Sequence, residues 1–427
     1  METGELLDLD ITGVAHGGVF VARHGADDGG PGRVVFVSDA APGERVRAVV
    51  TEVKKSFARA VTVEVLEAGA DRVPHVWRQA DVAVAPEQRP GGADFGHLAL
   101  PAQRRLKAQV LREAFERFAG LEIAPVVRGP EDVLGAGHPD AAATVDGSGY
   151  RTRLGLHVDA DGRIGPYAAR SHRVIEVEEH PLAVPAVAEV ALAVRKAPPG
   201  RLDLVLPADG SVRTIRRPAR DARARRGPRP EPEVVSEFVG EREFRVDAGG
   251  FWQVHRAAAA VLDRVVRDAL GELSSDAWHL DLYGGVGLFA AALGELAGPA
   301  RLTTVEADER ASAHAEDNLV DLGVEAVNAR VDRFLSRLAS QASLLDREML
   351  TRGVTLLDPP RSGAGRDVVE RVADLGSRRV AYVACDPVAL ARDVGWFRQL
   401  GYELASLEAL DLFPHSHHVE AVAILSR

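Results

Sequence analysis

Cysteine is nearly absent from this sequence, because Cys385 is the only one among 427 residues. A single thiol forms no internal disulfide, and it cannot supply the set of thiolates that a cysteine-based zinc or iron–sulfur site needs. The composition therefore excludes disulfide-stabilised proteins and iron–sulfur proteins, and it directs attention to the role of one thiol.

Long apolar runs and targeting signals are also missing. No apolar run approaches the roughly 20 residues that cross a bilayer, and residues 1–5 lack the basic and apolar regions of a signal peptide. We therefore expect a cytoplasmic protein with no membrane partner. The formal net charge of −11 argues against a chain coated in nucleic acid, although it leaves room for local basic patches.

The length predicts two or three domains, and residues 1–70 are the first. Short β-branched runs separated by Gly, Pro and Asp turns predict an OB-like β-barrel. Basic residues recur through it around Phe57, namely Arg45, Arg47, Lys54, Lys55 and Arg59. Such a face can bind RNA, or it is a solvated surface around one core phenylalanine.

Residues 71–245 predict a central domain of mixed α+β structure. Helical spacing favours helices over 98–118 and 181–196, and residues 150–158 are strand-like. An arginine-rich run at 213–229 contains prolines, so we predict a loop or linker there. Its arginines either bind phosphates or are simply solvated.

Residues 246–427 alternate between strand-like and helix-like segments, which predicts an α/β domain with a doubly wound parallel sheet. The last two strands have no helix between them and should form an antiparallel hairpin. The predicted strands are 277–283, 301–306, 325–329, 353–358, 379–384, 402–409 and 419–426. The predicted helices are 288–297, 309–322, 366–375 and 388–400.

A glycine-rich turn, Gly284, Gly285 and Gly287, follows the first of these strands and opens a helix. Glycines let the backbone pass close to a ligand, and Glu306 closes the next strand, where a carboxylate can hold ribose hydroxyls. Both nicotinamide and S-adenosylmethionine (SAM) enzymes place an acid there, so both cofactors stay open. Gln253, before the preceding helix, either caps that helix or contacts a ligand.

Two further candidate site residues lie at the ends of predicted strands. Asp358 and Cys385 follow buried runs, and ligands of doubly wound sheets bind at the carboxyl ends of the strands. Because Cys385 precedes a helix that starts at Pro387, the helix dipole should lower its pKa. The alternative is an inert, buried cysteine.

Glu420 stands among apolar residues, so we expect its pKa to be raised. Three nearby histidines, His415, His417 and His418, do not predict a metal site, since adjacent residues diverge on a strand.

The motifs resemble two known families. Residues 1–70 are similar to the TRAM domain, an RNA-binding barrel, and the similarity lies at 15–18, 33–37, 42–46 and 54–60. The last domain resembles the RNA uracil-5 methyltransferases, through residues 251–254, 281–289, 357–363, 383–393 and 411–420.

The resemblance implies a class I SAM methyltransferase fold with a seven-stranded sheet, SAM as the cofactor and a structured tRNA or rRNA as the partner. It also implies that Cys385 is the nucleophile and Glu420 the general base. The residues that surround SAM would be Gln253, Tyr283, Glu306 and Asp358. We expect a monomer.

The sequence departs from that family in two places, at Asp386 and in the region 75–97. Asp386 stands where the family usually has Asn, and it could raise the pKa of the thiol or contact the base differently. Arg361 stands where methyltransferases of amino groups often carry an aromatic residue, which disfavours amino methylation. The region 75–97 lacks the four cysteines that bind an iron–sulfur cluster in many relatives. Two alternatives remain, another SAM methyltransferase or a non-catalytic RNA-binding protein with a degenerate fold.

Overall fold

The N-terminal segment of the computed structural model, which describes residues 1–25, 32–135, 137–141, 146–219 and 231–427, is a closed barrel. Its strand order is β1-β2-β3-β5-β4. The strands are β1 (Leu6–Ala15), β2 (Val19–His24), β3 (Arg33–Ser38), β4 (Arg45–Val53) and β5 (Phe57–Glu67). Alternation along β1 buries Leu7, Leu9 and Ile11 in the barrel while the residues between them face water. The predicted barrel is confirmed.

The middle of the chain contains a four-stranded sheet of order β10-β9-β7-β8 and a hairpin of β11 with β12. Helix α1 continues into one turn of π-helix, Phe115–Ala119. The elements are α1 (Leu100–Ala114), β6 (Val127–Arg128), α2 (Pro130–Leu134), β7 (Arg153–Val158), β8 (Ile164–Gly165), α3 (Pro185–Ala193), β9 (Gly200–Val205), β10 (Arg213–Pro218), β11 (Val234–Val239) and β12 (Arg242–Asp247).

The start of the arginine-rich run is a strand, so the prediction of a loop from residue 213 was wrong. Arg213 to Pro218 pair antiparallel with β9. The strand tolerates Pro218 because β10 lies at the sheet edge and the proline is its last residue. Residues 220–229, which carry the remaining arginines, lie outside the described residues.

The C-terminal part forms the large sheet, of order β15-β14-β13-β16-β17-β19-β18-β6. Strands β13 to β17 run parallel, and β18 and β19 form the predicted antiparallel hairpin. Its elements are α4 (Ala258–Leu270), β13 (Trp278–Leu282), α5 (Leu288–Ala297), β14 (Arg301–Glu306), α6 (Glu309–Asn318), β15 (Glu325–Asn328), α7 (Val331–Gln341), α8 (Leu344–Arg352), β16 (Val354–Leu357), α9 (Arg366–Asp374), β17 (Arg379–Ala384), α10 (Pro387–Gln399), β18 (Glu403–Leu410) and β19 (Glu420–Ser426).

Helices cover both faces of this sheet, and alternate strand residues feed two apolar layers. Leu357 and Tyr382 pack on the side of α9 and α10, whereas Leu356 and Val383 pack on the side of α4 and α5. Burial on both faces is typical of parallel strands. In the described part of the chain, no helix is long and apolar enough to span a membrane.

The sheet has one strand more than predicted. The additional strand, β6, comes from the middle of the chain and pairs in parallel with Ala409 and Leu410 of β18. The predicted domain boundaries at residues 70 and 245 stay predictions.

Candidate active site

The turn between β13 and α5 is shaped by positive backbone angles. Tyr283 has φ +66°, Gly285 +57° and Gly287 +98°, values that favour glycine and are unusual for tyrosine. A Cβ on Gly284 would lie 2.0 Å from Thr304 Oγ1, whereas one on Gly285 would meet nothing within 4 Å. The turn therefore packs against β14 at Gly284, and there is open space beside it at Gly285.

Glu306 lies against this turn. Its Oε2 accepts a hydrogen bond from the Gly285 amide at 3.1 Å, and its Oε1 accepts one from the Asp308 amide at 2.7 Å. The structure therefore brings together the glycine turn and the acid that the sequence assigned to one cofactor site.

Asp281 and Asp358 are two more carboxyls at this edge. The Asp358 amide donates to Leu282 O at 3.2 Å, which joins the ends of β13 and β16. Burial raises the pKa of Asp281 to about 7 even though Thr304 Oγ1 donates to it. Burial, and then the charge of Asp281, raises the pKa of Asp358 to about 7.

Tyr283 and Gln253, two of the predicted cofactor residues, are half-buried and precede α5 and α4, respectively. Burial raises the pKa of Tyr283 to about 12. Gln253 does not cap α4, because the N-cap position is occupied by Ala257, without a side-chain cap. The capping alternative for Gln253 was therefore wrong, and contact with a ligand stays a prediction.

Cys385 ends β17 beside α10, as predicted, but the predicted lowering of its pKa was wrong. Burial raises the pKa of the thiol to about 11, and the charges of Glu420, Asp358 and Asp386 act in the same direction. The main physical reason is burial of the thiol, and the charge of Asp386 at the helix cap has a smaller effect. Asp386 Oδ1 accepts hydrogen bonds from the Val388 and Ala389 amides at 3.0 and 2.8 Å, so a carboxylate already occupies the helix N-terminus.

Glu420, the first residue of β19, is only 6% exposed. Burial raises its pKa well above the usual value, and Asp358 adds to the rise, which confirms the predicted direction. Arg361 lowers the pKa of both Glu420 and Cys385. The sequence had identified Arg361 only as a substitute for an aromatic residue, so its position facing both groups was missed.

The loop before Glu420 holds the three histidines. His417 and His418 lie in this loop rather than on a strand, and their ring centroids are 4.2 Å apart, so the prediction that they diverge was wrong. His417 Nδ1 is 2.7 Å from Asp94 Oδ2. Across the residues that the structure describes, no group of His, Cys, Asp and Glu side chains is arranged to hold a metal ion.

The barrel also reaches this site. His16 Nε2 lies 2.9 Å from Asp386 Oδ2, although the two residues are 370 positions apart. The charge of Asp386 contributes to the raised pKa of Cys385, in the direction expected for aspartate in place of asparagine.

The strand order, the open glycine turn and the carboxyls beside it define a class I SAM-dependent methyltransferase. These acidic groups suit a cofactor with a cationic sulfonium and ribose hydroxyls. A family model described as "TRAM domain" matches residues 1–63, and one described as "tRNA (Uracil-5-)-methyltransferase" matches residues 241–427. The chain belongs to the RNA uracil-5 methyltransferase family, and it is a SAM-dependent enzyme.

Relatives match along nearly the full length. An "Uncharacterized RNA methyltransferase" of Streptomyces avermitilis is 38% identical over 99% of this chain and 98% of its own length. A "23S rRNA (uracil(1939)-C(5))-methyltransferase RlmD" of Halomonas elongata is 32% identical over 98% of this chain and 89% of its own.

The fold is also similar to a solved structure. The Pyrococcus abyssi tRNA (uracil-54, C5)-methyltransferase in complex with S-adenosyl-L-homocysteine has a TM-score of 0.66 at 20% identity, and the similarity covers 98% of this chain and 100% of that chain. At this identity the match supports the fold alone.

Proposed function

We propose that this enzyme methylates C5 of a uridine in tRNA or rRNA through a covalent bond between Cys385 and C6 of the base. The observation that carries the proposal is the convergence of Cys385, Glu420 and Asp358 at one sheet edge, where their charges interact and Arg361 faces two of them. The same edge carries the glycine turn and Glu306.

The chemistry requires a nucleophile because C5 of uracil is itself a poor one. The Cys385 thiolate adds to C6, and the electron pair of the C5–C6 double bond moves into an enolate, which makes C5 nucleophilic. SAM supplies, when bound, a methyl group on a sulfonium. After C5 has gained that methyl group, the Glu420 carboxylate takes the C5 proton, the double bond re-forms and the sulfur of Cys385 leaves.

Both groups must lose a proton before they act, and burial opposes both losses. Arg361 is the cation that faces them, so it favours the thiolate of Cys385 and the carboxylate of Glu420. We also assign Gln253, Tyr283, Glu306 and Asp358 to the SAM site because of where they lie. Tyr283 and Glu306 lie at the glycine turn, Asp358 follows β16 and Gln253 precedes α4.

RNA as the substrate is supported by the barrel. Arg59 lies over the rings of Phe36 and Phe57, at 5.9 and 5.6 Å from their centroids. Arg47, Lys54 and Arg59 form ion pairs with acids on the barrel. Within the described ranges Arg45 and Lys55 are exposed and form no ion pair, so they are the cations best placed to meet phosphates.

The test separates the two catalytic roles. With unmodified tRNA and rRNA as substrates, Cys385→Ala should abolish methylation and form no covalent complex. Glu420→Gln should accumulate a methylated protein–RNA adduct that survives denaturing gels, because the C5 proton stays and elimination stalls. RNA containing 5-fluorouridine should trap the wild-type protein in the same way.

The double variant Cys385→Ala/Glu420→Gln is the matched control and should form no adduct. Normal turnover by Glu420→Gln would assign the base to another group, with Asp358 the next to test. Full activity of Cys385→Ala would refute the covalent mechanism. The RNA that carries the methyl group in this assay distinguishes tRNA from rRNA.

A further inference from the structure

The barrel contributes one side chain to the neighbourhood of Cys385. His16 lies in the turn between β1 and β2, and its Nε2 is 2.9 Å from Oδ2 of Asp386, the residue that follows the cysteine. The other carboxylate oxygen of Asp386 caps α10. We call residues 385–386, between β17 and α10, the cysteine loop. The Asp386 carboxylate therefore connects the barrel, the cysteine loop and the N-terminus of α10.

Packing fixes the turn that carries His16. Gly18 has φ +70°, and a Cβ there would lie 3.0 Å from both Asp94 Cβ and His417 Nδ1. The rings of His16 and His417 are 6.5 Å apart in an edge-to-face arrangement. The turn is thus seated on the loops of the catalytic site, and it places His16 against Asp386.

Charged groups of both signs surround His16, Asp386 and Cys385. His16 faces Asp386 on one side and His417, bonded to Asp94, on the other. The charges of three carboxyls, Glu420, Asp358 and Asp386, disfavour the thiolate of Cys385, and the charge of Arg361 favours it. The hydrogen bond with Asp386 raises the pKa of His16, and the pKa of Asp386 is lowered by His16 and the helix amides even though burial acts against them.

We propose that His16 is a positioning residue of the active site, whose imidazolium holds and neutralises the Asp386 carboxylate so that the neighbouring Cys385 thiol can ionise. The proposal rests on the proposed function, in which Cys385 is the nucleophile. On ionisation the S–H bond breaks, the proton passes to solvent and a negative charge appears beside Asp386. A cation on that carboxylate removes part of the repulsion.

This arrangement makes chemistry depend on the barrel. Among the described residues, His16 is the side chain of the barrel that is hydrogen-bonded to the cysteine loop. A barrel displaced from its seat would leave Asp386 with only the helix amides as partners and without a cation, and a seated barrel favours the thiolate.

The single cysteine allows a direct test in the full-length protein. The rate of alkylation by iodoacetamide reports the thiolate fraction, and it should be measured from pH 6 to pH 9.5. Between pH 6 and 7, His16→Ala and His16→Gln should both react about three- to tenfold more slowly than wild type. Above pH 9 the rates should converge, because His16 is then neutral in wild type as well.

The comparison with His16→Gln separates charge from shape, since glutamine keeps a hydrogen-bond donor without the positive charge. In an Asp386→Asn background, His16→Ala should change nothing, because no carboxylate remains to neutralise. His24→Ala, a change at an exposed histidine on β2, is the matched control and should react as wild type.

Wild-type rates for both His16 variants at all pH values would overturn the inference, as would an equal loss in the Asp386→Asn background. Unfolding of a variant gives the opposite sign, because it exposes the thiol and speeds alkylation. If Cys385→Ala abolishes methylation while the His16 variants alkylate normally, only this inference fails. If Cys385→Ala retains methylation, the proposed function fails irrespective of the alkylation result.

Discussion

The protonation states of single residues define this site before any ligand arrives. Burial raises the pKa of the Cys385 thiol to about 11 and that of the Glu420 carboxyl well above its usual value, and it raises the pKa of Asp281 and Asp358 to about 7. Groups with such shifts are typical of catalytic sites, where a cation brought by a ligand or a neighbour changes the balance.

Glu306 offers a direct test of the cofactor site. Its carboxylate is already oriented by the Gly285 and Asp308 amides, so it can accept ribose hydroxyls without reorganising. Glu306→Ala should weaken SAM binding by about 1–3 kcal/mol, the cost of leaving buried polar partners unsatisfied. Isothermal titration calorimetry with SAM measures the change.

Glu309→Ala is the control, because Glu309 is an exposed residue in the first turn of α6. It should leave SAM affinity unchanged. Equal affinities of wild type and Glu306→Ala would remove Glu306 from the cofactor site.

Residues at strand ends were predictable and residues that depend on domain docking were not. Asp358 and Cys385 follow from one rule, that the carboxyl ends of parallel strands meet at one edge. His16 lies in the segment 15–18 that resembles the TRAM domain, but its contact with Asp386 joins distant parts of the chain and depends on how the barrel packs. The pKa of Cys385 was mispredicted mainly because the sequence does not show how deeply the thiol is buried, and also because the side chain of Asp386 accepts hydrogen bonds from the helix amides.

Helix α1 is the element that holds the loop that precedes Glu420. Gln103 donates to and accepts from the loop at His415, and the buried Lys107 donates to Asp411 Oδ1 at 2.5 Å and to Phe413 O at 2.9 Å. Lys107 and Asp411 are nearly fully buried. Burial lowers the pKa of Lys107 while Asp411 opposes that change.

Breaking this buried pair should therefore be costly. Lys107→Met should lower the free energy of unfolding by about 3 kcal/mol, because the buried charge of Asp411 then keeps only Arg104 as a cationic neighbour, with Arg104 Nε 3.5 Å from Asp411 Oδ2. The double variant Lys107→Met/Asp411→Leu should lose less than Lys107→Met alone. Urea denaturation followed by circular dichroism measures both.

The neighbouring residue on the same helix supplies the control. Arg105 pairs with Asp71 at the surface, so Arg105→Ala should cost at most about 1 kcal/mol. A loss from Lys107→Met no larger than that of Arg105→Ala would show that the pair does not stabilise the loop.

Most elements of the large sheet were predicted within a residue or two because they alternate with turns. Helices α7 and α8 were missed between β15 and β16. The signal for α8 was present, since Ser343 and Asp346 form a capping box. Strand β6 was not predictable, because two residues carry no periodicity and pair with a strand that lies far along the chain.

At the scale of the whole molecule, buried histidines should make the fold sensitive to acid. Burial lowers the pKa of His75 and His418 to about 3, and that of His180 and His255 to about 4. Between about pH 4 and pH 6.5, the unfolded chain binds protons on these four histidines and the folded chain does not. Stability contributed by neutral histidines is therefore present above pH 6.5 and decreases as the pH falls.

Among the described residues, four carboxyls act in the opposite direction, because burial raises the pKa values of Asp281, Asp358, Glu420 and Glu237 and these groups release protons on unfolding. Burial also lowers the pKa of His97, His157, His279 and His415. We expect net proton uptake, with a loss of about 1.4 kcal/mol per pH unit for each net proton below pH 6.5.

Thermal unfolding between pH 5 and 7.5 measures this slope. His180→Phe should make it shallower by about one proton, because burial alone shifts the pKa of His180. His24→Gln should leave it unchanged. Identical slopes for wild type and His180→Phe would contradict the assignment.

Strand β6 also limits which segments of this chain recombination can transfer separately. The match to the "tRNA (Uracil-5-)-methyltransferase" family model begins at residue 241, yet the sheet of that segment ends in residues 127 and 128, and Asp411 donates its amide to Arg128 O at 2.8 Å. A recombination event that moved only the segment from 241 onward would leave β18 as a bare edge, open to pairing with other chains. A recombination event that keeps the sheet complete must therefore carry residues 127 and 128 together with the segment from 241 onward.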